Sequence, residues 1–389
     1  MDAVYGNRTG TVKGQVPRQI GHFNPRIESL RGVASLCVLC SHCFGLLIVG
    51  GLKAYYLVPF FRQPLGAKVL TILCSLLNPE GAVVVFFLLS GYVLTLSFLR
   101  SPDSLPRQFV PYVVKRAFRL FPAMWVSILV IAAIRLALPD ALPAPLRTTF
   151  YTRIFTTPIT AGAIGKNFLL ASFTINPLTW TMYVEAVCSL LVPLLVAITR
   201  TRKWAGFATL LILLALAARV HQLALHYLFC FQIGVVLASF PDLTARLRWP
   251  GTLFAGGLAI LFLHRACMPT FTGNLLLVAA GATMILAAIL CESPIDRFCW
   301  LDGPSVRFLG RISYSVYLVH LAVVYALVQV FVGFGLQNPG GCFPQVLLAV
   351  ATIGVTTPLA WACYVGVEVP TLRYGKSIAN VLALRLQRA

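Results

Sequence analysis

Arg31 and His42 stand eleven residues apart in IESLRGVASLCVLCSHCF (27–44), the first long apolar stretch of the chain. At 3.6 residues per turn this spacing puts both on one helical face, about 16 Å apart along the axis. A guanidinium offers a planar fork of donors that fits phosphate or carboxylate oxygens. An imidazole is the side chain whose unperturbed titration lies nearest neutrality. Ionisable groups at membrane depth are costly, so they persist where they face a protein interior or a wet cavity and carry function. One helix therefore presents an anion-binding cation and a general base together.

Three further segments bring polar groups into apolar surroundings. In RAFRLFPAMW (116–125), Arg116 and Arg119 lie one turn apart after Lys115, and read either as cationic anchors at a helix end or as a phosphate clamp. Pro122 then lets the helix bend and frees a carbonyl. PLTWTMYVEA (177–186) places Glu185 within an apolar stretch, with Trp180, Thr181 and Tyr183 nearby. A carboxylate there is expensive unless paired or protonated, and function outweighs a purely structural ion pair. In GRISYSVYLVH (310–320), Ser313 and His320 share a face with Tyr317 close by. His320 reads equally as a second catalytic group or as a hydrogen-bonded packing residue. In FFLLSGYVLT (86–95), Gly91 permits close helix packing and Ser90 is expected to bond a backbone carbonyl. No Gly-x-Ser-x-Gly elbow surrounds Ser90, so a serine nucleophile is disfavoured.

These groups must be positioned by membrane-spanning helices. Of the 389 residues, 59% are hydrophobic and 11% charged, far from the roughly one-quarter charged of soluble chains. Ten stretches approach the ~20 apolar residues a span needs, near 29–49, 81–99, 118–138, 178–198, 203–218, 223–240, 250–264, 274–291, 308–333 and 344–367. The fold expected is all-α and polytopic. The net charge of +20 is unevenly spread: with both termini inside, 22 of the 31 Lys and Arg fall on inside segments. That asymmetry matches the positive-inside rule. It leaves no solvated basic surface for nucleic acid. Basic residues at the inner surface suit anionic lipid headgroups or a phosphorylated substrate.

The organisation expected is a polar cytoplasmic segment over 1–26, a transmembrane domain over 27–373 and a basic cytoplasmic tail over 374–389. Residues 1–26 show no cleavable signal pattern, so the first span is expected to act as a signal-anchor. The tail reads as a basic amphipathic helix on the inner membrane surface. LGAKVLTILCSLL (65–77) is expected as a re-entrant or interfacial helix. Most of the eleven cysteines sit in apolar segments and read as small hydrophobes. Cys37, Cys40 and Cys43, beside His42, have a formal metal-like spacing, but successive threes drift around a helix and do not converge as zinc requires. No metal is expected. Cys267 and Cys342 fall in outer loops and form a candidate pair. His22, His221, His226 and His264 are expected to be solvated.

Taken in order, these motifs resemble the acyltransferase-3 family of integral-membrane O-acyltransferases. The resemblance runs from Ile27 to Arg373. Arg31-x10-His42, preceded by Glu28 where the family often has Asp, is similar to its first-span motif. FFLLSGYVLT, RAFRLFPAMW, WTMYVEA and GRISYSVYLVH are similar to four more, and YVGVEVPTLR (364–373), with Glu368, Pro370 and Arg373, to its closing one. Two departures stand out. Ala186 and Val187 replace the family's second acidic residue and its polar neighbour, and no extracytoplasmic SGNH-type domain is expected after the last span.

The resemblance implies transfer of an acyl group, commonly acetyl, from cytoplasmic acyl-CoA as co-substrate to a hydroxyl of a glycan or glycolipid. Family acceptors include exopolysaccharide repeat units, lipopolysaccharide O-antigen and lipochitin oligosaccharides. A sugar hydroxyl needs a base to take its proton as it attacks a thioester, and His42 is the candidate. Arg31, Arg116 and Arg119 are candidates for holding the CoA phosphates. Glu185 would orient His42 or bind acceptor, Trp180 would contact substrate, and His320, Tyr317 and Ser313 would support the oxyanion. Direct transfer is favoured over an acyl-enzyme. The expected site is a cavity between the first, third, fourth and ninth spans of an inner- or plasma-membrane enzyme, with Arg31 at its cytoplasmic mouth. The rival classes are a transporter or flippase, which would tend to show two related halves with interrupted helices, and a sensor, which gives no reason for Arg31 and His42 to share a face.

Overall fold

The structure is a computed structural model that describes residues 24–46, 60–101, 104–144, 147–220, 222–245, 247–267, 274–291, 297–335 and 343–388. Among these residues every regular element is helical. In chain order they are α1 (Pro25–Leu46), α2 (Leu65–Leu77), α3 (Pro79–Arg100), α4 (Leu105–Ala137), α5 (Thr149–Phe155), α6 (Ala161–Phe168) and α7 (Thr179–Thr201). Next come α8 (Lys203–Arg219), α9 (Leu223–Ser239), α10 (Asp242–Ala245), α11 (Pro250–Cys267) and α12 (Asn274–Leu290). The chain closes with α13 (Pro304–Gly333), α14 (Phe343–Cys363), a π turn (Tyr364–Glu368) and α15 (Val369–Arg388).

Over its described residues, each of the ten apolar stretches falls largely on helix. Six helical segments are long and apolar enough to cross a bilayer: Pro25–Phe44, Ala67–Arg100, Leu105–Ala137, Thr179–Thr201, Pro304–Gly333 and Pro344–Leu386. Leu223–Ser239, Pro250–His264 and Leu275–Leu290 are apolar but shorter. The outer surface is apolar as well: Leu129, Leu136, Leu190, Leu194, Leu211 and Ile212 are all exposed. Such a surface is tolerable where hydrocarbon, not water, surrounds it. The molecule is a multi-pass membrane protein.

Between helices in lipid, association depends on close packing, which small residues permit. A Cβ on Gly32 would lie 2.6 Å from the amide nitrogen of Gly310, and one on Gly310 would lie 2.5 Å from the Glu28 carbonyl oxygen. Backbone thus touches backbone where α1 meets α13. Their N-terminal ends are clasped further: Ser29 Oγ donates to the Leu301 carbonyl (2.6 Å), and Arg26 Nε to Asp302 Oδ2 (2.8 Å). Arg307 Nη2 reaches the other oxygen at 3.0 Å. The hydrogen bond from Arg26 above all, against a smaller desolvation effect, holds the Asp302 carboxyl below its ordinary range. A second crossing joins α3 and α9, where a Cβ on Gly91 would fall 2.2 Å from the Phe231 carbonyl oxygen.

The connection between α4 and α7 is pinned to the bundle. Arg135 donates to the carbonyls of Phe155 (2.8 Å) and Thr157, while Asn176 Nδ2 donates to Ser127 Oγ and to the Leu318 carbonyl, both at 3.0 Å. The helix expected over 65–77 is α2, with Ala67, Thr71, Cys74 and Ser75 buried and Leu65, Ile72 and Leu76 exposed. Asn78 then caps α3 through Gly81 N (2.9 Å) and ties it to α11 through the Leu261 carbonyl (2.8 Å).

Several expectations are corrected. The tail does not rest on a membrane surface alone. It forms α15, continuous with the π turn across the 373/374 boundary, and packs on α4, with Tyr374 and Phe118 rings 5.7 Å apart and Gly375 against Phe118. Small residues at Gly375 and Ala379 give it a face that fits another helix, while Arg373 and Lys376 stay exposed. His264 is buried rather than solvated, and His226 is half-buried with Nδ1 donating to the Ala217 carbonyl at 3.0 Å. His22, His221 and the Cys267–Cys342 side-chain pair lie outside the described residues.

Candidate active site

Gly32 and His42 are ten residues apart on α1, and Gly310 and His320 are ten apart on α13. With the glycines in contact and both helices running the same way, the histidines meet two to three turns further on. His42 Nδ1 lies 2.8 Å from His320 Nε2, with the ring planes within 16° of parallel. His320 is fully buried, and its Nδ1 lies 3.1 Å from the Val316 carbonyl oxygen. A carbonyl only accepts, so His320 Nδ1 must carry a proton. In neutral His320 the Nε2 atom is then the acceptor, and His42 Nδ1 must donate to it. That assignment leaves the lone pair of neutral His42 on Nε2. The chain of bonds resembles the logic of a triad, in which a partner on one ring nitrogen fixes the tautomer and the other nitrogen acts as base.

The remaining candidates gather around a separate small cavity between α1, α3, α4, α7 and α13. Arg31, Arg116, Arg119, Glu185, Ser313 and Tyr317 all line it. Arg116 is paired with Glu185. Arg119 reaches Glu368 Oε2 at 3.3 Å and lies over the Tyr314 ring, 5.3 Å from its centroid. Among the described residues Arg31 has neither hydrogen bond nor ion pair, and the buried Arg116 Nε has no hydrogen-bond partner. Three guanidiniums are thus set against two carboxylates, and the site carries an excess positive charge with open donors. Charge-assisted bonds to an anion would satisfy both.

Tyr317 connects the two parts. It lines the cavity, shares a 3.1 Å hydrogen bond with Thr181, and its ring centroid lies 6.1 Å from that of His320. Ser313 is buried at the cavity wall. Trp180 is placed elsewhere: it packs on Tyr227 (5.5 Å) and Phe87 (6.3 Å), because adjacent helical residues point about 100° apart and Thr181 takes the cavity side. Ser90 also lines the cavity and makes no backbone bond, while its neighbour Gly91 does the packing. Glu185 bonds Arg116, and His42 has His320 as partner in the place considered for Glu185.

Sequence reasoning missed the inward placement of Glu368, which accepts from Ser315 Oγ, and the pairing of the two histidines. The second had a signal, the glycine ten residues before each histidine.

Residues 24–365 match the acyltransferase-3 family, described as an acyltransferase domain. The chain is also 28% identical to Nodulation protein 10 of Rhizobium leguminosarum bv. viciae, over 80% of this chain and 85% of that protein. No solved structure matches. With a family match over nearly nine-tenths of its length and the family's motifs converging on one half of the bundle, the chain belongs to the acyltransferase-3 family of membrane acyltransferases.

Proposed function

We propose that the protein moves an acyl group, acetyl in the simplest case, from cytoplasmic acyl-CoA to a hydroxyl of a glycan or glycolipid. It does so as a ten-span enzyme of the inner or plasma membrane, with both termini inside. The observation that carries this reading is the His42–His320 pair beside a cavity with excess positive charge. A transporter needs neither a tautomer-locked base nor a site of this kind next to it.

In this reading Arg31, Arg116 and Arg119 bind anionic oxygens of the CoA, and the pantetheine arm carries the thioester along α1 towards His42. The acceptor hydroxyl gives its proton to His42 Nε2 as its oxygen bonds to the thioester carbonyl carbon. The tetrahedral intermediate holds the negative charge on the former carbonyl oxygen. On collapse the C–S bond breaks, and the CoA sulfur takes the proton back from His42. The ester and free CoA leave, and the imidazole is neutral again. Tyr317 and Ser313 are candidate donors to the oxyanion. Glu185 acts on Arg116 rather than on His42.

The test is acyl-CoA consumption and labelled-ester formation by purified protein with cell-envelope glycans as acceptor. His42→Ala is expected to lose about 10²- to 10⁴-fold in kcat, the usual worth of a general base. Arg31→Ala is expected mainly to raise KM for acyl-CoA. Wild-type rates in both variants would remove the basis for this assignment.

A further inference from the structure

The buried stripe of α14 runs Ala349, Thr352, Thr356, Ala360, Cys363, with the three- and four-residue steps of an α-helix. Continued in that register it would next bury Val367 and then Pro370, yet Val367 is half-buried and Pro370 exposed. Instead Glu368, Gly375 and Ala379 are buried, one residue later than an uninterrupted helix would place them. The shift occurs at the π turn Tyr364–Glu368. Its cause is legible in the chain. Pro370 has no N–H for the Gly366 carbonyl and its ring crowds that oxygen, so the helix widens by one residue there. The widening rotates the remainder of the helix by about 100°, and a carboxylate is turned inward.

At 2% exposure, Glu368 is costly unless paired. It accepts from Ser315 Oγ on α13 and pairs with Arg119 Nη1 on α4. Glu368 does not line the cavity, whereas Arg119 does. A buried ion pair is a weak stabiliser compared with apolar packing. What this one does is fix a cavity cation against the helix that also carries Tyr317 and His320.

We infer that Glu368 is a positioning residue for the acyl donor: the π turn aims its carboxylate at Arg119 and sets that guanidinium on the cavity wall. This rests on the proposed binding of an anionic donor in that cavity. The full chain in detergent is assayed for KM and kcat with acetyl-CoA, and for binding of CoA itself. Glu368→Gln keeps the shape and the Ser315 bond but removes the charge. It is expected to raise KM about tenfold, with kcat within about twofold, as loss of a charge-assisted contact would. In an Arg119→Ala background the same change is expected to add nothing. Pro370→Ala, which restores the N–H and relieves the crowding that widens the helix, is expected to act like Glu368→Gln; should that variant not fold, Ser315→Ala is expected to raise KM by a smaller factor, about threefold. If Arg119→Ala weakens CoA but Glu368→Gln does not, the positioning role is refuted while the cavity assignment stands. An undiminished Glu368→Gln effect without Arg119 refutes it too. If Arg119→Ala leaves CoA affinity unchanged, the cavity assignment falls and this inference with it.

Discussion

Replacing His320 with alanine removes the acceptor that holds His42 Nδ1–H at 2.8 Å and fixes the lone pair on His42 Nε2. In the resting state that bond is between neutral groups and is worth about 0.5–1.5 kcal/mol. Once His42 has taken the acceptor's proton it is an imidazolium, and the same bond becomes charge-assisted, worth about 1.5–3 kcal/mol. The part that counts is the part present in the transition state, so kcat is expected to fall by about 10- to 150-fold. KM for acyl-CoA should move little, because His320 is fully buried and does not line the cavity. His320→Gln, whose amide oxygen can accept in place of Nε2, should recover most of the loss. The assay is a steady-state series with His42→Ala, His320→Ala and the double variant. Groups acting as one unit are not additive, so the double variant should be no slower than His42→Ala alone. A double variant slowed by the product of the single losses would refute the relay.

Gly310→Ala forces a methyl to 2.5 Å from the Glu28 carbonyl oxygen. The α1 and α13 backbones must separate, and a loss of thermal stability together with a kcat loss like that of His320→Ala is expected. Glu185→Ala leaves Arg116 uncompensated in a half-buried site and should destabilise by up to the ~3–5 kcal/mol of a broken buried pair. Arg116→Ala/Glu185→Ala together should recover much of that stability, read from detergent melting curves, without recovering CoA binding. Asp302 is held below its ordinary range by Arg26, so its contribution is present above the unfolded carboxyl value of about 3.9 and is lost as pH falls through the lower folded value. The melting-temperature gap between wild type and Asp302→Asn should therefore be constant from about pH 8 to 5 and close on further acidification.

Much of this protein could be read from the chain because the relevant physics is local. Apolar stretches of span length are expensive anywhere but in lipid, so all ten marked helices before any packing was known. Arg31 and His42 share a face because one helix's own periodicity requires it. The cation set Arg31, Arg116 and Arg119, with Glu185, Ser313 and Tyr317, was likewise recognisable as polar groups that lipid would not tolerate, and one cavity receives them all. What local rules do not contain is the partner each group takes. Trp180 and Thr181 are neighbours in sequence, and only the rotation of α7 in the bundle gives the cavity to Thr181. Glu368 faces inward because a proline two residues further on widens its helix, a shift of one residue that hydropathy averages out. Glu185 pairs with Arg116, and His42 with a histidine 278 positions away, because glycines let α1 and α13 touch and so put equal spacings side by side. Composition and periodicity determine which residues must avoid lipid; helix rotation and the closeness of backbones at a few glycines decide which of them meet.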